Sequence, residues 1–325
     1  VTVAPGRRAC HGRRAAATSD GGWGLRVRRL LAVLLLGLSG VGQAAEPVVV
    51  SSKLSSESAM IGHMIRLLLE ANGIRTVDRM ALGATPVVRQ AILAGEIDLY
   101  VEYTSNAGFF FNVPADPAWK DLRRGYELAA RLDYAANRIV WLTPANASNS
   151  WAIAVRDDVA RRQRLKTMSD FGRWVAAGGR VVLACSSEFV NSSTLKSLER
   201  TYAFQLKPEQ MIVLAGGDTS ATIKAAADQT NDTNAAMVYG TDGGIAASEL
   251  TLLEDDKHDQ PTYAPTPIVR EAVLKAYPRI AAIVKPLMEG FTQESLQELN
   301  GRVQINGEPT AEVASDYLRT KGLLK

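Results

Sequence analysis

Apolar and polar positions change period several times along the chain, and each change marks an element. Val48 to Ser52 is a short apolar run that reads as a buried strand and delivers Lys53 to the following loop. Glu57 to Glu70 then carries Met60, Ile61, Met64, Ile65, Leu67 and Leu68 on one broad face, the spacing of an amphipathic helix, with Asn72-Gly73 as its stop. Thr85-Pro86 reads as an N-cap followed by proline, opening a helix through Val88, Ala91 and Ile92 to Gly95. In Glu96 to Val101 the period shortens to two, Ile97, Leu99 and Val101 alternating with Asp98 and Tyr100, which predicts a strand. The order so far, β-α-(β)-α-β, begins an open, largely parallel sheet.

Asp116 to Asp133 is predicted helical and Ile139 to Leu142 a short strand, after which Thr143 to Ser150 forms a polar connection. A second α/β unit starts with the strand Trp151 to Val155. It continues through helices near 157–164 and 169–177, a strand at 180–184, helices near 193–202 and 219–229, and a strand at Ala235 to Tyr239. The run Glu254-Asp255-Asp256-Lys257 reads as a solvated turn, and Pro261, Pro265 and Pro267 stiffen the extended stretch beyond it. Helices are expected near 269–276, 279–289, 293–299 and 311–321. The first unit has too few strands to finish a sheet, so the chain is expected to return to it. Crossings near 145–150 and 245–255 would give a lobe from 46–148 and 251–325, a second lobe from 149–250, and a cleft and hinge between them.

The N-terminal segment changes the accounting. Arg26-Val27-Arg28-Arg29, the apolar run Leu30 to Leu38 and small residues through Ala44-Ala45 have the layout of a cleaved secretory signal within a leader spanning 1–45. Residues 1–25 resemble no part of a signal, and translation is expected to begin near Val27. The first 44 residues hold seven Arg and one Asp. Of 37 Lys and Arg and 34 Asp and Glu, 30 and 33 therefore lie downstream, a net charge of −3 that gives no electrostatic reason to bind nucleic acid. Cys10 and His11 fall in the leader. Cys185 is then a lone thiol in an apolar run, and His63 and His258 lack metal-ligand spacing, so no disulfide, metal or cofactor is expected.

Chemistry gathers at Gly95 to Phe111, where a strand end turns polar and aromatic through Glu102, Tyr103, Thr104, Ser105 and Asn106. Strand ends of this kind hold ligands in open α/β sheets, and no nucleophile with an attendant base is present. Tyr103, Trp151, Tyr239 and Tyr263 occupy equivalent topological places, so lobes closing on one cleft would bring four rings together. Ring faces suit a methylated cation that donates no hydrogen bond, at about 0.5–2 kcal/mol per contact. Spacing alone equally permits plain core aromatics.

Seven segments in order carry a resemblance: S-S-K-L-S-S-E at 51–57, L-G-A-T-P-V-V-R at 82–89, G-E-I-D-L-Y-V-E-Y-T at 95–104, N-S-W-A-I-A-V at 149–155, A-G-G-D-T at 215–219, Y-G-T-D-G at 239–243 and Y-A-P-T-P-I-V-R at 263–270. From residue 46 onward the chain resembles the substrate-binding proteins of osmoprotectant ABC importers, the glycine betaine and choline binding family. Within it, the chain looks most like a stress-linked, low-affinity-like subgroup whose motif continues into N-A-G-F-F-F. The resemblance implies an α/β type II periplasmic binding fold of two lobes with mixed sheets, no enzymatic activity, and a monomer in the periplasm that presents a quaternary ammonium ligand to an inner-membrane permease. It also implies that Tyr103, Trp151, Tyr239 and Tyr263 form an aromatic cage, with Lys53, Asn106 and Asn149 as polar contacts and Lys53 as partner for a ligand carboxylate. Ser192 stands where relatives have an arginine that clamps the carboxylate of betaine, so weak betaine binding, or preference for a cation without a carboxylate, is expected. Another small cationic or amino-acid-like ligand, a ligand-sensing protein, and an enzyme on the same fold remain open as alternatives.

Overall fold

Alternation along the strands sorts side chains onto two faces of each sheet, and helices cover both faces. A computed structural model describes residues 46–214 and 219–324; the leader, Cys10, His11 and most of the 215–219 segment lie outside the described residues. The strands are β1 (Val48–Lys53), β2 (Thr76–Gly83), β3 (Leu99–Tyr103), β4 (Ile139–Trp141), β5 (Trp151–Arg156), β6 (Leu183–Ser186), β7 (Met211–Leu214), β8 (Ala235–Tyr239), β9 (Leu250–Leu252) and β10 (Pro265–Arg270). They form two five-stranded sheets, ordered β2-β1-β3-β10-β4 and β7-β6-β8-β5-β9. Both are mixed: β1 pairs in parallel with β2 and β3, β10 runs antiparallel to β3 and β4, and β5 runs antiparallel to β8 and β9.

In the first lobe Val48, Val50, Leu99 and Val101 point into a core closed by helices Ser56–Ala71, Ile280–Glu289, Gln293–Gln304 and Thr310–Thr320. Tyr100 and Ile268 point the other way, beneath helices Thr85–Ala94 and Leu122–Asn137. The second lobe repeats the device, with Ile153, Val155, Ala235 and Met237 on one face and Ala154, Ala236 and Val238 on the other. Met60 and Met64 are core residues, as is the buried thiol of Cys185, which desolvation pushes up to about 11.

Several boundaries differ from expectation for identifiable reasons. β3 starts at Leu99, because the Glu96 N–H is still held by the Ala91 carbonyl and Asp98 turns its carboxylate to the Val49 N–H. At the other end, pairing with Pro265 of β10 carries the strand on to Tyr103. Helix Thr85–Ala94 is capped by Ala84, without a side-chain bond, and ends on Gly95, whose φ of 79° favours glycine. Asp116 and Asp121 each accept a backbone N–H, splitting one expected helix into a short turn at Pro117–Lys120 and the helix Leu122–Asn137. Val269 belongs to β10, opposite Leu99 and Val140, and the helix comes after it at Glu271–Ala276.

The return to the first sheet comes later than 245–255. β9 pairs with β5 in the second sheet, and Leu253 packs in that lobe's core. Tyr202 Oη donates to Asp255, and Ser197 and Thr201 donate to Asp259 at 2.9 and 2.8 Å. Only at Thr262 does the backbone join the first lobe, its N–H on the Trp119 carbonyl and its own carbonyl accepting from Thr104 and Ser105. The acidic run is a solvated turn, with Glu254, Asp256 and Lys257 exposed, and it is also tied down: Asp255 accepts the N–H groups of Asp259 and Gln260, and Asp256 that of Ser169.

Candidate functional site

The two crossing segments lie side by side. Asn149 N–H donates to the Tyr263 carbonyl at 3.0 Å, and Tyr263 N–H donates to Ser148 Oγ at 3.0 Å. Next to them a cleft of about 1420 Å³ opens between the sheets, and Tyr103, Trp151, Tyr239, Tyr263, Lys53, Asn106 and Asn149 all line it. Topology explains the convergence: Lys53, Tyr103 and Tyr239 end strands, Trp151 begins a strand antiparallel to β8, and Tyr263 precedes β10.

Trp151 and Tyr239 are a directly opposed cross-strand pair, with ring centroids 6.3 Å apart and planes at 29°. Phe189 buttresses the indole edge-on at 5.8 Å. These two rings therefore make one continuous wall on the second lobe. Tyr103 stands on the first lobe, and its phenol donates to Glu57 Oε1 at 2.7 Å. Burial, then the Glu57 charge, holds the Tyr103 phenol well above its ordinary value; burial also raises Tyr239 and Tyr263, so the rings stay neutral at physiological pH.

The polar residues are already engaged. Lys53 is buried and ion-paired with Glu102, its ammonium 4.8 Å from the Tyr103 ring centroid. The expected role of Lys53 as partner for a ligand carboxylate thus meets a competing, buried partner. Glu102 also accepts from Asn106 Nδ2 at 2.7 Å, Tyr100 Oη at 2.8 Å and Tyr103 N–H at 2.8 Å. Asn149 Nδ2 donates to Glu57 Oε1 at 3.0 Å. Thr104 and Asp242 brace loops, Thr104 through the Thr262 carbonyl and the Ala264 N–H, Asp242 through the Tyr239 N–H. Ser192 lines the cleft and caps helix Ser193–Thr201 by accepting the Thr194 N–H.

Two features escaped the sequence reading. Glu57 lies in the quoted segment at 51–57, yet nothing local marks its carboxylate as facing a cleft. Helix Gln293–Gln304 carries Gln293, Gln297, Asn300 and Gln304 on one stripe, spaced i, i+4, i+7 and i+11. Those amides bond Ser148, the Gly240 carbonyl, the Thr241 carbonyl and the Gly243 N–H. A run of amides at helical spacing was the available signal. Contact is close enough that a Cβ on Gly243 would sit 1.9 Å from the Gly301 nitrogen.

Residues 46–320 match the family described as the substrate binding domain of the ABC-type glycine betaine transport system. The chain belongs to that family. It is 47% identical over 294 residues to the glycine betaine-binding protein YehZ of Escherichia coli strain K12, covering 90% of this chain and 96% of that one. A glycine-betaine-binding protein of Pseudomonas aeruginosa is 27% identical over 307 residues, 92% and 96% of the two chains. The solved structure of apo YehZ superposes with a TM-score of 0.81, covering 86% of this chain and all of that one. Members of this family are substrate-binding components of importers, and the fold of two mixed sheets is theirs. Among the described residues no helix is long and apolar enough to cross a membrane, and no cluster of His, Cys, Asp and Glu suits a metal.

Proposed function

We propose that this protein is the periplasmic, monomeric and non-enzymatic binding component of an ABC importer, and that it takes a quaternary ammonium compound such as glycine betaine or choline between Tyr103, Trp151, Tyr239 and Tyr263. The observation that carries the reading is the arrival of these four rings, from both lobes and the returning crossing, at one cleft. A methylated ammonium needs ring faces and no donor, and several faces together give useful affinity. Closure of the lobes results from ligand contacts made on both walls at once, which favour the closed state by their differential affinity. The closed form is then what an inner-membrane permease receives.

Calorimetric titration of the protein with glycine betaine, choline and carnitine tests this. At least one is expected to bind with a Kd of about 1 mM or tighter, and absence of heat from all three would sink the cage assignment. Betaine is expected to bind weakly, since Ser192 offers no guanidinium and Lys53 is committed to Glu102. Ser192→Arg should strengthen betaine relative to choline by about ten- to a hundredfold, while loss of the cap costs about 1 kcal/mol of stability. An unchanged ratio would show that the position does not reach the carboxylate.

A further inference from the structure

Three carboxylates buried in the first lobe are satisfied in different ways. Glu102 has the Lys53 ammonium and Asp133 the Arg89 guanidinium, whereas Glu57 accepts only from neutral donors: Tyr103 Oη at 2.7 Å, Asn149 Nδ2 at 3.0 Å and Asn300 Nδ2 at 2.7 Å. Among the described residues no Lys, Arg or His lies within ion-pair distance of it. Its place in the first turn of helix Ser56–Ala71, together with three hydrogen bonds, makes burial of the charge tolerable. Around Tyr103 there are thus two carboxylates against one ammonium. The other basic groups lining the cleft, Lys120, Lys196 and Arg200, are exposed to solvent, and Lys120 leans on Asp259 at 3.5 Å; of the other carboxylates, Glu188 is exposed and Asp242 lies on the opposite wall, where it accepts the Tyr239 N–H.

We infer that Glu57 sets the charge selectivity of the cleft: its uncompensated carboxylate is the counter-charge for the ligand's permanent cation, and the rings supply the shape. This rests on the reading of the cleft as a quaternary ammonium site. Two observations make Glu57 the residue for the task. It lines the cleft and holds the Tyr103 hydroxyl directly, so a cation against that ring sits near the carboxylate. The protein's own cation beside Tyr103, Lys53, is itself neutralised by Glu102, which leaves the wall one negative charge in excess. Rings alone attract a trimethylammonium group modestly and also accept its neutral tert-butyl counterpart by burial. A low-dielectric carboxylate separates the two, because only the charged ligand gains from it.

The test compares choline with its uncharged carbon isostere, 3,3-dimethylbutan-1-ol, by calorimetry on the wild type, Glu57→Gln and Glu57→Asp. Wild type is expected to favour choline. Glu57→Gln should weaken choline by about tenfold, a loss of about 1.4 kcal/mol, and leave the isostere within about twofold; Glu57→Asp, which keeps the charge, should hold the choline-to-isostere ratio within about twofold. A wild type that binds both equally, or a Glu57→Gln protein in which both weaken alike or neither weakens, would overturn the inference in favour of a purely structural Glu57. Should Glu57→Gln fail to fold, Glu57→Asp decides: a collapsed ratio in a variant that retains the charge refutes it. Wild type that binds no quaternary ammonium at all is a different result, and it removes the functional reading first.

Discussion

Trp151 presents a larger π-face than a tyrosine and is held on two sides, by Tyr239 in the opposing strand and by Phe189 at its edge. A side chain so fixed loses little entropy when a ligand settles on it. Trp151→Phe, which keeps a face, is expected to retain binding of the preferred ammonium ligand to within about tenfold, and Trp151→Ala to lose about 3- to 30-fold. Titration of both variants beside the wild type separates a cage wall from a core aromatic, because a core role would lower thermal stability without moving affinity. The hydroxyl of Tyr103 has a different use: it is committed to Glu57, and the ring beneath it carries Lys53 on one face. Only part of that ring is therefore left for a ligand.

At the scale of elements, side-chain ties between helices and loops keep the cleft residues in place. Arg89, from the helix that opens at Thr85, makes a two-pronged bond to Asp133 at 2.7 and 2.8 Å, and Asp133 also accepts from Trp141 Nε1 and Asn137 Nδ2. Phe110 lies over the guanidinium at 4.7 Å, so the aromatic end of the N-A-G-F-F-F segment clamps this pair. Arg89→Met would leave Asp133 buried without its cation, and the expected cost is about 3–5 kcal/mol, measured by urea unfolding. A loss below about 1 kcal/mol would show that Asp133 relaxes into water. Helix Gln293–Gln304 works differently. Its Leu296 and Leu299 sit in the first lobe's core while its amide stripe grips the 240–243 turn of the second, so one helix belongs to one lobe and fastens both.

For the whole molecule, two buried phenols, Tyr103 at the cleft and Tyr100 in the core behind it, set an alkaline limit. Burial and the neighbouring carboxylates Glu102 and Glu57 raise Tyr100 and Tyr103 above the ordinary tyrosine value of about 10. The folded state therefore holds their protons more tightly than the unfolded chain. That contribution to stability is fully present below pH of about 10 and is lost as pH rises from there toward the folded values. Denaturant titrations between pH 7 and 11 should show a fall above about pH 10 that Tyr103→Phe makes shallower. An equal fall in the variant would place the titrating groups elsewhere. Across the neutral range the cage carries no titrating ring, so ligand affinity is expected to stay level.

Much of this protein was legible in one dimension because local rules act there. The helix of 57–70, the strand at Ala235–Tyr239 and the start of β5 at Trp151 come from periodicity, and seven ordered segments pointed to the family. Edge strands were harder: half of β2 is exposed and none of it fully buried, and β7 is only half-buried, so neither shows a full apolar alternation. The point of return to the first sheet depended on pairing between distant strands, which local composition does not encode. What the tertiary structure alone decided is the electrostatics of the cleft. The family resemblance implies that Lys53 partners a ligand carboxylate, but folding brings Glu102 to it from 49 residues away, and brings Asn300 to Glu57 from 243 residues away. A charge's partner is set by packing across the whole chain, and for that reason residues that come to line one cleft could be picked out along the sequence while the partners of Lys53 and Glu57 could not.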